Sequence, residues 1–410
     1  MTSKLFGPSS VPSLLSFLLT FGCCLFYSAF LGDIFAPLAS LVLPSRVTSS
    51  MSSGLLRSLV IMFLAALPLL PLCLLEDLSS LFYSSCFGLI GVLYTMLFIL
   101  KRGHDGSYEP PDGRFYHLMK ALGPTARHVL PRLQPVALAS MPPLLASGGV
   151  VAASAKDLFF LHTPLFQLSR GTLTLMNMCC VAFACHYNAV KYNLEYENRS
   201  GDLRGVPSYG RTVCSALVAT VVVFALTMYG GYKTFGAASQ PLVLNGFHPT
   251  KDVGATAARA LTGVAILGGY PLMYAGLKAS LFDLCGGGNG GGGGCESPPK
   301  QSPPLSARRK AALSVVVLLL INSLACFVTE HDLGTVLGVV GAVLGGSVVY
   351  VLPAVVNLKV LGGREQGGKG ARPMFRGERN ANFILAAFGA ALMVLGTWVS
   401  LNEGGATGHH

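Results

Sequence analysis

Apolar residues in this chain come in long, nearly unbroken runs, not in the short alternations of a half-buried strand or an amphipathic helix. Nine runs stand out: Leu14–Ile34, Leu55–Leu75, Leu81–Leu100, Leu173–Val190, Val213–Tyr232, Ala260–Leu281, Ala311–Val328, Leu333–Leu358 and Phe383–Leu401. At about 1.5 Å per helical residue, each is close to the length that crosses a ~30 Å hydrocarbon layer. Helix is the expected form, because in lipid every backbone N–H and C=O must be satisfied within its own segment. The pattern predicts an all-α polytopic membrane protein of about nine transmembrane helices. The first run continues through Gly32, Asp33 and Pro37 with no small-residue cleavage site, so it reads as a span and not as a signal peptide.

The connections divide the chain unevenly within what reads as a single transmembrane domain over 1–410. Residues 76–80 form a tight turn that makes the second and third spans antiparallel neighbours. Residues 101–172 form a long polar, Pro-containing insertion, of which 101–166 is expected to be an extracytosolic loop. Within it, Val136–Ala153 is mildly apolar, but Pro142 and Pro143 place it at the surface or interface. Residues 285–310 hold Gly286–Gly294, broken only by Asn289, followed by two Ser-Pro-Pro repeats, which reads as a flexible cytosolic linker. It lacks the Gly-Lys-Ser/Thr ending of a phosphate loop.

Composition agrees with the pattern. Apolar residues make up 52% and charged residues 11%, where a soluble chain carries roughly a quarter charged. A mean hydropathy of +0.58 leaves too little polar surface for a water-soluble particle. The net charge of +11 does not point to nucleic acid, since the basic residues lie between the apolar runs and form no stripe with aromatics. They do orient the chain. With the N-terminus cytosolic, the inner segments 191–212, 282–310 and 359–382 carry fourteen Lys and Arg. The short outer loops carry four: Arg46, Lys233, Lys251 and Arg259. The expected topology is N-in, C-out. One consequence is that the Asn198-Arg199-Ser200 sequon lies in the cytosol. Nine of the 11 Cys lie in apolar runs, where cysteine behaves as a small hydrophobe, so neither a metal nor any other cofactor is expected.

Candidate chemistry is sparse. Asp33, near the end of the first span, and His186, in the fourth, are the informative ionisable groups, because charge at bilayer depth usually faces a cavity or a partner. The structural alternatives are an interfacial carboxylate at a helix end and a neutral packing histidine. Lys278 and Lys359 lie near inner ends, where snorkelling to the headgroups is expected. Gly268-Gly269-Tyr270-Pro271 interrupts the sixth run, and Gly341, Gly345, Gly346 and Pro353 punctuate the eighth. Such residues either allow close helix packing or make the broken helices of transporter sites. Packing is the expected role of Gly341 and Gly345. For Gly268–Pro271 both readings stand.

The order of the motifs goes further. Met178–Ser200, reading MCCVAFACHYNAVKYNLEYENRS, resembles the sixth helix and following loop of the amino acid/auxin permease family. MYGGYKTFG at the end of Arg211–Gly236 resembles its seventh helix, and YPLMYAGLKASLFDL within Ala258–Leu284 its eighth. LGTVLGVVGAVLGGSVVYVLPAVVNLK over Leu333–Lys359 resembles its tenth. Upstream, LFYSAFLGDIFAPL at Leu25–Leu38 is similar to the third helix, and LPLLPLCLLEDLSSL at Leu67–Leu81 to the fourth-to-fifth corner. The resemblance implies a LeuT-type inverted-repeat transporter fold and secondary transport of amino acids. It implies a plasma, vacuolar or lysosomal membrane. The substrate positions it carries over are Ala182, Phe183, Ala184 and Cys185 in the sixth-helix match and Gly268 and Gly269 in the eighth. Proton coupling through His186 and Asp33 is expected, with sodium second. The eighth-helix match GVAILGGYP, Gly263–Pro271, offers no Ser or Thr ligand for that ion. The third-helix motif begins about 25 residues from Met1, so the family's first two helices are expected to be missing through truncation.

Two function classes follow. One is a proton-coupled amino-acid transporter, whose partners are amino acids, protons and the lipid bilayer. The other is a non-transporting sensor or partner subunit of the same ancestry. A membrane-embedded enzyme is disfavoured, because the spans contain no metal-spaced His/Glu/Asp cluster and no Gly-x-Ser-x-Gly elbow.

Overall fold

In a computed structural model, the residues described are 11–44, 46, 50–75, 82–108, 113–115, 170–183, 193, 206–236, 239, 242–248, 251–285, 306–328, 330–365 and 376–407. Each of the nine apolar runs contains helix where it is described, and no strand occurs among the described residues. We label them α1 (Val11–Val42), α2 (Ser53–Leu64), α3 (Phe82–Asp105), α4 (Arg170–Ala182), α5 (Val206–Phe235), α6 (Val253–Leu284), α7 (Ala307–Ala325), α8 (Glu330–Val340) and α9 (Arg376–Thr407). With α2 and α8 taken to include the helical turns that continue them to Leu74 and Leu358, seven of the described helices are long and apolar enough to cross a bilayer. The two others are α4, whose apolar part is described only over Thr172–Ala182, and α7, which opens on Arg308, Arg309 and Lys310. The glycine tract, the 116–169 stretch and the Asn198 sequon lie outside the described residues.

The ends extend beyond the apolar runs. α1 continues past Pro37 to Val42, and Ser40 Oγ donates to the Pro37 carbonyl in that last turn. α2 begins where Ser52 accepts from Leu55 N–H, satisfying one of the free donors of a first turn. It then passes into a π-helical turn over Ala65–Leu69, which contains Pro68, and ends as Leu70–Leu74. α8 likewise changes to π-helix over Gly341–Gly345 and Ser347–Val351 before finishing as Leu352–Glu365. The sixth run behaves differently from one of the two readings of its sequence. α6 is unbroken from Val253 to Leu284, with Pro271 inside it. The fully buried rings of Tyr270 and Tyr274 hold that region against its neighbours, so the missing proline N–H produces no gap.

Small residues decide which helices meet. A Cβ at Gly91 on α3 would stand 2.7 Å from the Leu261 carbonyl of α6, and one at Gly263 on α6 would stand 2.5 Å from the Phe35 ring of α1. At Gly341 it would fall 2.1 Å from the Asn177 carbonyl of α4, and at Gly345 2.8 Å from Cys180 Cβ. Gly341 and Gly345 are therefore packing glycines, as their spacing suggested. α1 lies at the centre. It packs along α6, α2 and α7, and its opposite face meets α8. α3 packs on α6 and carries α5, while α4, α8 and α9 form a second group. Large apolar side chains point outward from the rim, among them Val218, Val222 and Met228 of α5 and Phe383, Ile384 and Trp398 of α9. Only lipid can cover such a surface.

Candidate functional site

Four elements converge near the middle of α1. Leu19 and Cys23 of α1 and Val348 of α8 are buried together, with Val181 of α4, Met273 of α6 and Leu344 of α8 packed against them. At the next residue of α1, Cys24 joins a second cluster with Tyr270, Tyr274 and Leu277 of α6 and Cys73 in the last turn that continues α2. Polar handles sit inside this apolar setting. The Tyr270 hydroxyl is 3.2 Å from Ser28 Oγ of α1, and the Tyr27 and Tyr270 rings lie 6.2 Å apart. The Tyr274 hydroxyl donates to the Ser314 carbonyl of α7. Buried hydroxyls without a partner are costly, so these bonds fix the α1–α6–α7 contact as well as filling it.

The residues expected from sequence distribute around that junction unevenly. Ala182 is exposed and Phe183 half-buried, its ring 5.4 Å from Phe224 of α5. Ala184, Cys185 and His186 lie outside the described residues. Gly268 is buried, and Gly269 faces open space, since a Cβ there would meet nothing within 4 Å. Val181 of α4 and Met273 of α6 both pack against the buried Leu19, Cys23 and Val348, so residues next to the sequence-expected positions of the two helices border one cluster. Lys278 does not snorkel. Its Nζ donates to the Cys73 carbonyl at 2.6 Å and sits 5.9 Å from the Tyr274 ring centre.

Asp33 is not an interfacial carboxylate. Its side chain is fully buried and accepts from Arg57 Nε of α2, while Arg57 is 13% exposed. The sequence reading missed Arg57. The signal was present as a lone cation three residues into an apolar run, separated from a lone anion by one short connection. It also missed a polar knot where α3 and α6 leave the apolar layer. There Asp252 caps α6 and receives Arg102 Nη2 at 2.7 Å and the Tyr108 hydroxyl at 3.0 Å. Nearby, Arg102 Nη1 donates to Asp105 Oδ2 at 3.0 Å, and the Ser107 N–H and hydroxyl donate to Asp105 Oδ1. The described residues contain no group of three or more His, Cys, Asp or Glu placed to hold a metal.

Similar stretches occur in the sodium-coupled neutral amino acid transporter 7 of rat, 32% identical over 100 residues, and of mouse, 31% identical over 99 residues. The human protein of that name is 30% identical over 99 residues. In each case the match covers 24% of this chain and 20% of the relative, so the similarity spans about a fifth of the relatives' length. A model of the transmembrane amino acid transporter protein family matches residues 160–402, which include α4 through α9. On that match, which covers more than half of its length, the chain belongs to the transmembrane amino acid transporter protein family.

Proposed function

We propose that this chain carries neutral amino acids across a membrane by secondary transport, with the substrate held where α1, α4, α6 and α8 converge. The observation that supports this most directly is the gathering of Val181, Met273 and Leu344 around buried Leu19, Cys23 and Val348, with the open face of Gly269 one turn before Met273. A glycine face left open beside an apolar cluster suits an amino acid, whose side chain needs an apolar wall.

For the driving ion we propose protons, with the titratable groups Asp33 and His186 as the relay. Sodium is the second reading, supported by the name of the relatives from rat, mouse and human. Against it stands the ligand set. A sodium ion wants several hard oxygens, and Gly263–Pro271 has only the Tyr270 hydroxyl, already engaged with Ser28. N-in, C-out topology remains part of the proposal. The test is uptake of labelled neutral amino acids by the full-length protein, with sodium replaced by choline, at pH 5.5 and 7.5. Uptake that persists in choline and rises at the lower pH is expected. Uptake abolished by choline and indifferent to pH would assign the coupling to sodium, and no uptake under any condition would leave the sensor or partner-subunit reading.

A further inference from the structure

Arg57 stands five residues after the Ser52 cap of α2 and reaches three helices with one guanidinium. Nε donates to Asp33 of α1, Nη2 to the Ala29 carbonyl of α1 at 3.3 Å, and Nη1 to the Ala325 carbonyl at the end of α7 at 3.3 Å. The C-terminal carbonyls of a helix carry partial negative charge, so α7 offers a second favourable contact for this cation. At the same junction Cys326, the C-cap of α7, places its Sγ 3.9 Å from the Ser58 carbonyl of α2. Above it, a Cβ at Gly32 would meet Arg57 Cγ at 3.3 Å and Ile61 at 2.7 Å, so α1 and α2 are in close contact through the arginine stem. The junction is tight, and its polar bonds depend on one side chain.

Its anion is only half used. Asp33 Oδ1 takes the Arg57 bond, whereas Oδ2 is buried and has no hydrogen-bond partner among the described residues. A buried carboxylate oxygen with free lone pairs and no donor is a place where a proton can add without displacing an existing bond. The consequence lies in charge. A hydronium ion gives H⁺ to Oδ2 and leaves as water, the carboxylate becomes a neutral acid, and the pair changes from neutral to a single positive charge. A partly buried guanidinium without its counter-ion is driven toward water.

We propose that Asp33 and Arg57 form a proton-operated clamp: protonation of Asp33 frees Arg57 and releases the first turns of α2 from α1 and from the end of α7. This deepens the proton-coupled reading and rests on it, and it assigns to Arg57 a role in gating that the sequence did not suggest. α7 presents the Ala325 carbonyl and the Cys326 thiol. α6 meets α1 here through Gly263 against Ile34 and Phe35, while Arg259, one turn earlier, is turned to the Leu244 and Phe247 carbonyls. α8 contributes Val336, Leu337 and Val340 against Phe26 and Ala29. Glu330, His331 and Asp332 open α8, and their side chains lie outside the described residues. Among the described residues, Arg57 is the cation paired with the carboxylate.

Cys326 supplies a native reporter. In the full-length protein at pH 7.5, modification of Cys326 by N-ethylmaleimide, followed by mass spectrometry, should be about threefold or more faster in Asp33→Asn than in wild type, because the amide mimics the protonated acid and opens the junction locally. The double variant Asp33→Asn/Arg57→Gln carries no unpaired charge and guards against misfolding of the single one. It too should react fast. In uptake assays wild type should gain activity between pH 7.5 and 5.5, and His331→Gln should keep that response. Asp33→Asn should lose it, and so should the double variant. Unchanged Cys326 reactivity in both Asp33 variants would overturn the clamp, as would a double variant that regains the pH response, since that would make the pair a balance of charge and nothing more. If wild type shows no uptake at either pH, the transport reading fails by itself, and the Cys326 rates still decide whether the clamp opens.

Discussion

Two aspartates, Asp252 and Asp33, are almost equally hidden from solvent, 1% and 3% exposed, yet their surroundings differ in kind. Asp252 has both oxygens occupied. Oδ1 accepts from Gly254 and Ala255 N–H at 3.0 and 3.3 Å and from Arg102, and Oδ2 accepts from Tyr108, whose hydroxyl in turn accepts from His248 N–H at 3.1 Å. Asp33 has one bonded oxygen and one bare one. The cause is position along the helix. Asp252 precedes α6, where the first-turn N–H groups have no intrahelical partner and aim at the cap residue. Asp33 is inside α1, where neighbouring N–H groups are already spent on the helix. It can gain only what another helix brings, and α2 brings one arginine. A saturated carboxylate fastens structure, whereas a half-satisfied one can respond to a proton.

The largest effect should come from removing that arginine alone. Arg57→Gln leaves Asp33 buried without its cation and should cost about 3–5 kcal/mol of stability. Thermal unfolding of the purified protein in detergent at pH 7.5 would measure it. Most of the loss should return in Asp33→Asn/Arg57→Gln, where neither charge remains. A single-variant loss as small as that of an exposed ion pair, about 0.5 kcal/mol, would mean that solvent reaches Asp33 and that the contrast with Asp252 has been overdrawn.

At the other carboxylate the effect should be smaller, because the knot lies at the end of the apolar layer and its partners can turn to water. Asp252→Ala removes an N-cap and charge-assisted bonds to Arg102 and Tyr108, for about 2 kcal/mol in all. Asp252→Asn keeps a capping oxygen and should cost about half of that. The same unfolding assay ranks them, and limited proteolysis after Arg102 or Arg114 reports whether the segment bearing Tyr108 and Phe115 comes loose. Equal losses for Ala and Asn would show that the cap contributes nothing and the arginine contact everything.

The sequence was legible where one residue class dominates a long window. Nine apolar runs announced nine helices, since twenty lipid-compatible residues have few other uses. Gly341 and Gly345 were readable for a similar reason, as small residues in such a run mark where another backbone approaches. The π-helical turns in α2 and α8 were not readable, because they depend on how the chain accommodates Pro68 and the Gly341–Ser347 contacts in three dimensions. Gly268–Pro271 misled in one of its two readings. The packing of Tyr270 and Tyr274 outweighs the local preference to break. Partners across helices were the hardest part. Asp33 stood out as a charge in an apolar run, and a lone cation 24 residues on was the hint of its partner, whereas the link of Arg102 to Asp252 spans 150 residues and no local pattern records it.

The smallest expected effect separates the two aspartates by pH. His248 belongs to the Asp252 knot and is 5% exposed, and its Nδ1 accepts from Lys251 N–H at 3.1 Å. That bond requires an unprotonated Nδ1. Burial pushes the imidazole below its ordinary 6.5, the charges of Lys251 and Arg259 push the same way, and Asp252 opposes them. The sign follows from proton binding. The unfolded chain takes up this proton more readily than the folded one, so stability from His248 is complete above the ordinary histidine range and is lost as pH falls through it. Between pH 7.5 and 5, wild type should therefore lose a little more stability than His248→Gln, by about 0.5–1 kcal/mol. Cys326 reactivity in His248→Gln should match wild type at pH 7.5, because the knot and the clamp share no residue. If His248→Gln instead loosened Cys326, the two carboxylates would be coupled through α6, and the saturated one would no longer be merely structural.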